Sequence, residues 1–162
     1  MAPSRSIRRP LRRFAQVGWR RRALVAEAVT GLLLARLALI AVPFPTLARR
    51  LGAFVPPSDP RATQARKPGM PDEAHVAREV GWAVTRSARY VPFKAVCLPQ
   101  AMAARVMLSR RGIASVMHFG AAKNTTSDEH KPLDAHAWLD AAGVEVTGYP
   151  VAESFSEIAC FV

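Results

Sequence analysis

Apolar residues dominate from Ala23 to Val42, in a run that follows three arginines and ends at Pro43 and Pro45. That is the outline of a membrane anchor or a secretory signal. Glu27 and Arg36 lie inside it, however, and each costs roughly 2.5 to 3.5 kcal/mol near a bilayer centre. Both fit better on the outer face of an amphipathic helix over residues 23–42 whose Leu32, Leu33, Leu37 and Ile40 cover a core. No small-residue cleavage site follows the run. A short basic turn of helix is expected from Leu47 to Leu51. Val55 to Pro60 contains three prolines and must be extended. Arg61 to Pro71 is broken by Pro68, Gly69 and Pro71, so residues 55–71 read as a proline-rich linker.

Helical periodicity returns at Pro71-Asp72-Glu73, where proline and acids suit a first turn, and Val76, Val80, Ala83 and Val84 share one face up to about Arg89. A third helix starts at Cys97 or just after it, with Pro99 in its first turn and strong helix formers from Ala101 to Arg111. Gly112 supplies its C-terminal cap. Alternation from Ile113 to Phe119 predicts a strand, with Val116 and His118 on one face and Ser115, Met117 and Phe119 on the other. Lys123 to Pro132 reads as a polar loop. A second strand runs through Ala135 to Leu139, turns at Ala141-Ala142-Gly143 and returns as Val144 to Thr147. Ile158 to Val162 is a last strand-like stretch. Helices first and an antiparallel sheet afterwards give an α+β class, with no internal repeat.

The chain has 162 residues, 50% apolar and 22% charged, enough for one folded domain with a core and too little for two. Its net charge of +11 suggests nucleic acid or anionic lipid until the charge is located. Eight arginines and no acid fall in residues 1–22, leaving 15 basic against 12 acidic residues, a net +3, over 23–162. The basic stretch is therefore an N-terminal tail without apolar periodicity, expected to be disordered. The nearly neutral body argues against a nucleic-acid interface. The two cysteines, Cys97 and Cys160, form no Cys-x-x-Cys pair or zinc spacing, so no metal is expected, and Cys160 reads as a small buried hydrophobe.

Cys97 stands where a helix offers unpaired backbone donors and the positive end of its dipole, the setting that most readily activates a cysteine nucleophile. His136 follows in the order nucleophile helix, strand, loop, histidine strand, an arrangement able to bring an imidazole beside the helix N-terminus as general base. Gln100 is a candidate polar neighbour or an exposed helix residue.

The stretches Val91 to Ala101, Leu108 to Ile113 and Ala135 to Leu139 resemble the transglutaminase-like domain of lasso-peptide B proteins, the McjB-type maturation peptidases. Residues Gly31 to Arg36 and Pro43 to Ala48 are similar to that family's helical start, so the resemblance spans most of 23–162. It implies a papain-like cysteine-peptidase core and cleavage of the leader from a ribosomally made precursor. A separate ATP-dependent cyclase then joins the exposed amine to a side-chain carboxylate. Cys97 would attack the scissile carbonyl and His136 would shuttle its proton through a thioester intermediate, with no cofactor in this chain.

Two features depart from the family pattern. Its third catalytic residue, an aspartate about a dozen residues after the histidine, would fall near Thr147-Gly148, where no acid stands. Asp140 is roughly 13 Å from His136 along one strand. Glu145 on the returning strand, expected opposite Trp138 or Leu139, is the best acidic candidate, with a backbone carbonyl, Thr147 or Asp134 as alternatives. No leader-recognition module precedes residue 23, so a separate recognition partner is expected. The other readings are acyl or amide transfer by the same dyad, and a non-enzymatic membrane-associated accessory protein in which Cys97 and His136 are core residues. The expected location is the cytoplasm, with contact at the inner membrane face.

Overall fold

The computed structural model describes residues 18–64, 67–123 and 133–162. The first helix, α1 (Trp19–Ala41), begins within the arginine-rich segment, so the tail is shorter than expected from composition, and residues 1–17 lie outside the described ones. Arginine is a good helix former, and Arg21 gains tertiary partners by extending the helix. Its guanidinium lies 3.4 Å from Glu79 and stacks over the Trp82 ring, 5.2 Å from the centroid. The residues expected to cover the core do so only in part. Leu32 is fully buried with Ala28, but Leu33, Leu37 and Ile40 are 44%, 50% and 68% exposed. The docked stripe sets the small residues Ala28, Gly31 and Ala35 around Leu32, which lets backbones approach; a Cβ on Gly31 would sit 3.2 Å from that of Ala103. Glu27 is held by Arg111 through two contacts, 3.2 and 2.6 Å, which accounts for an acid inside the apolar run.

The short helix α2 (Phe44–Leu51) follows, starting with a proline at its second position. The expected linker is more ordered than its prolines suggested. Phe54–Val55 forms β1 and Pro60–Gln64 forms α3. Asp59 precedes α3 and accepts the Arg61 backbone N–H at 2.8 Å and its guanidinium at 2.9 and 3.0 Å. That side-chain hydrogen bond holds the Asp59 carboxyl below its ordinary range. Helix α4 (Pro71–Ala88) begins as predicted, with Pro71 at its first position and Glu73 accepting the Met70 N–H at 3.0 Å.

Helix α5 spans Cys97–Ser109 and ends in a turn with Gly112 at φ +71 and the Ile113 N–H bonded back to Leu108 at 3.1 Å. That return bond uses Ile113 for termination, so β2 starts later and runs further than alternation predicted, Val116–Lys123. Residues 124–132 of the expected loop lie outside the described ones. β3 (Leu133–Ala141) and β4 (Val144–Thr147) meet in a two-residue turn with Ala142 and Gly143 both at positive φ, the twist hairpins favour. A 3₁₀ turn (Val151–Ser154) precedes β5 (Ser156–Phe161). The sheet is antiparallel in the order β1-β5-β2-β3-β4.

β2 and β3 pair without a break from Val116↔Asp140 to Lys123↔Leu133. Alternation therefore sorts the faces cleanly. Met117, Leu139, Ala141 and Phe161 join the main core with α1, α4 and α5, while Val116 and Cys160 face the other way and pack with Val55 and Ala62. Arg105 of α5 ties helix to sheet by donating to the carbonyls of Ser115 at 3.1 Å and Phe161 at 2.8 Å. Burial lowers its pKa from the ordinary arginine value, yet the cation is retained by those two acceptors. Arg105→Ala is expected to destabilise the protein by about 1.5 to 3 kcal/mol, the range for hydrogen bonds to a charged donor. A urea midpoint that does not move would show that the tie is dispensable.

Candidate active site

Cys97 is the first residue of α5 and its half-exposed thiol is in no disulfide. Among the described residues no side chain caps this helix, whose flanking residue is Val96. Pro99 has no N–H, and that of Gln100 goes to Val96 at 3.3 Å, so among the described residues the amides of Cys97 and Leu98 are the open donors of the first turn. Gln100 is not the exposed residue of the simplest reading. It is half-buried and donates through Nε2 to the Ala95 carbonyl at 2.7 Å, tethering the segment that delivers Cys97 to the helix.

His136 lies in the outer part of β3, beyond the reach of β4, which pairs only with Leu139 to Ala141. Its Nε2 is 2.8 Å from the Gly148 carbonyl oxygen. A carbonyl only accepts, so Nε2 carries the hydrogen and Nδ1 carries the lone pair in the neutral ring. That is the tautomer a general base needs. The ring is stacked against Phe155, 5.0 Å between centroids, and Trp138, 6.2 Å. Gly148 has φ +92, and a Cβ there would lie 2.5 Å from that of Trp138 and 2.8 Å from the Ala137 oxygen. Only glycine presents its carbonyl to His136 in this way.

Among the described residues no acid is hydrogen-bonded to His136. Glu145 is exposed and pairs with Asp140, not with Trp138 or Leu139, because a register shift between Leu139 and Asp140 displaces β4. Asp134 is exposed, and Thr147 is buried with its hydroxyl unpartnered among the described residues. Of the alternatives to an acid, it is the backbone carbonyl that meets the imidazole, at the chain position where the family pattern has its aspartate. Asp140 belongs elsewhere: it accepts from the Tyr149 hydroxyl at 2.7 Å and lies 3.2 Å from His118 Nε2.

Cys97 and His136 are not hydrogen-bonded to each other. His136 shares the sheet face of Trp138 and Asp140, while α5 packs on the face of Leu139 and Ala141. The two groups can meet only around the open edge of β3 past the end of β4. Such contacts are commonly long before substrate binds and tighten in the reacting complex.

Residues 38–160 match the family model described as the transglutaminase-like superfamily. No curated protein and no solved structure matches the chain significantly. The matched span runs from the end of α1 through α2 to β4 and into β5, up to Cys160, and includes every residue of the candidate site.

Gly148→Ala is expected to cost about 1 to 3 kcal/mol of stability through its disfavoured backbone conformation. It should also shift His136 away from the Nε2–H tautomer, read by long-range proton–nitrogen correlation of the imidazole. Glu145→Gln should leave that spectrum unchanged. The reverse pattern would make Glu145, and not the carbonyl, the group that orients His136.

Proposed function

Because the chain belongs to the transglutaminase-like superfamily, typically cysteine-dependent peptidases and transferases, we propose that it is a cysteine peptidase that removes the leader from a ribosomally made lasso-peptide precursor. The observation that carries this reading is Cys97 at the open N-terminus of α5, within the matched span, together with an imidazole whose Nε2 is already engaged by Gly148. The lasso assignment rests on the sequence resemblance around Cys97 and His136.

In this mechanism His136 Nδ1 takes the Cys97 thiol proton as Sγ attacks the scissile carbonyl carbon. The resulting oxyanion is met by the backbone N–H groups of Cys97 and Leu98. Collapse breaks the C–N bond, and the imidazolium returns its proton to the departing amine, which becomes the N-terminus of the core peptide. Water, deprotonated by His136, then hydrolyses the thioester and releases the leader as a carboxylate. No cofactor enters these steps. A separate leader-recognition protein presents the precursor, and an ATP-dependent cyclase uses the new amine.

The decisive test is mass spectrometry of a precursor co-expressed with this chain and its leader-binding partner. Leader loss is expected with the wild type and not with Cys97→Ala. His136→Ala should lower single-turnover cleavage by roughly 10² to 10⁴-fold, the usual range for a lost general base. Equal cleavage by wild type and Cys97→Ala would abandon the peptidase; a product joined to an amine would move it to acyl transfer. Full activity without the partner would remove the need for separate recognition.

We also place the protein at the cytoplasmic membrane surface. α1 is long and apolar enough to cross a membrane, and only 17% of its apolar window is buried. Leu33, Leu34, Leu37 and Ile40 face outward, and Arg20, Arg21 and Arg22 lie at its start. That combination suits an interfacial helix on anionic lipid. The wild type is expected to float with vesicles containing anionic lipid, and a Leu34→Glu/Leu37→Glu variant to remain at the bottom of the gradient. Resistance to alkaline carbonate extraction from cell membranes would mean instead that α1 spans the bilayer.

A further inference from the structure

A second group of reactive side chains lies on the sheet face turned away from the main core. His118 and Cys160 are directly paired across β2 and β5 and both are fully buried. Glu157 joins them where a register shift between Phe119 and Gly120 brings it back to the same face. Its carboxylate oxygen Oε1 accepts from Cys160 Sγ at 2.8 Å and lies 2.5 Å from His118 Nδ1, while Sγ and Nδ1 are 3.4 Å apart. One sulfur, one nitrogen and one oxygen therefore converge within 4.8 Å.

The surroundings of this group match those of a metal-bound histidine. Ligating imidazoles almost always give their second ring nitrogen to a carboxylate that is itself hydrogen-bonded. Here the second nitrogen, Nε2, faces Asp140 at 3.2 Å, and Asp140 accepts from Tyr149 at 2.7 Å. Trp138 stacks on the His118 ring at 5.5 Å and 14°, fixing its plane. Val55, Ala62 and Val116 close the site with apolar surface. The Cys160 thiol hydrogen is aimed at the same Glu157 oxygen that lies against His118 Nδ1. Nitrogen, oxygen and sulfur thus point at one small volume, where a divalent ion could take the place of the thiol hydrogen.

We propose that His118 Nδ1, Glu157 and Cys160 Sγ form a binding site for a borderline-soft divalent cation, zinc by the chemistry of its donors. Imidazole, thiolate and carboxylate are the zinc ligand types, and tetrahedral coordination places such atoms roughly 3.4 to 3.6 Å apart. Sulfur and nitrogen already have that spacing. Glu157, the one ligand with its side chain partly open to solvent at 17%, must withdraw by about 1 Å, which leaves the fourth position on its side for water. The ion would bridge β2 to β5 behind β3, holding the strand that carries His136 from the face opposite α5. The site uses neither Cys97 nor His136, so it stands whether or not the peptidase reading holds.

The test is titration of the full chain, stripped with chelator, with cobalt(II) as a spectroscopic substitute for zinc, followed by displacement with zinc against a chromophoric competitor. One equivalent of cobalt with a thiolate charge-transfer band is expected in the wild type and in Cys97→Ser. Cys160→Ser should lose the band, and Glu157→Gln, a near-isosteric change, should weaken zinc binding while keeping the native circular dichroism. Asp140→Asn should weaken it on the order of 10 to 100-fold, as outer-shell partners do. A band that survives in Cys160→Ser, a band lost in Cys97→Ser, or no stoichiometric uptake by the wild type would each overturn the assignment and leave a hydrogen-bonded network only.

Discussion

Unbroken pairing of β2 with β3 decides where nearly every important side chain goes. Eight consecutive residues of each strand are in register, and side chains alternate between faces with a period of two. A slip of β3 by one residue would send Leu139 and Ala141 away from the helices and turn Trp138 and Asp140 into the apolar core. Burial of the Leu139 face against α1, α4 and α5 forbids that slip. The same constraint gives the opposite face its polar character, so a histidine can be fully buried there beside two carboxylates and a thiol.

Helix packing shows a related economy. α1 approaches α5 along Ala28, Gly31 and Ala35, and Arg111 closes on Glu27 at the far end of α5. Small residues set the distance between the helices and the ion pair sets their register. An exposed pair of this kind adds little stability, and its value here is positional. As a result Leu33, Leu34 and Leu37 of α1 remain exposed while Leu32 is fully buried.

At the site, the superfamily's cysteine chemistry is carried on a frame in which a main-chain carbonyl meets the imidazole. A carbonyl orients the ring and selects its tautomer as an acid does. It brings no negative charge to stabilise an imidazolium, so in the proposed mechanism the proton transfers draw on the positioning of Cys97 and the amides of the first turn of α5. The aromatic walls formed by Trp138 and Phe155 keep the ring from turning away.

Local physics made much of this legible from the residues. Pro99, the helix formers after it and Gly112 place Cys97 at a helix start without any tertiary help, because backbone torsions and caps act within a few residues. Alternation likewise put Val116 and His118 on one face and found the β3–β4 hairpin. It could not show that Val55 and Ala62, in a stretch rich in proline, would cover that face, nor that α1 would dock through Ala28, Leu32 and Ala35 while Leu33, Leu37 and Ile40 stay exposed. The sequence by itself therefore determined the principal helices, the β3–β4 hairpin and the α+β class, and nominated the two residues of the candidate dyad. Only the tertiary structure decided that Gly148 meets His136, that Glu145 does not, and that Cys160 joins His118 across 42 residues of chain. Those contacts depend on sheet register and on a left-handed backbone turn, which are settled by the burial of distant groups and leave no periodic mark on the residues that make them.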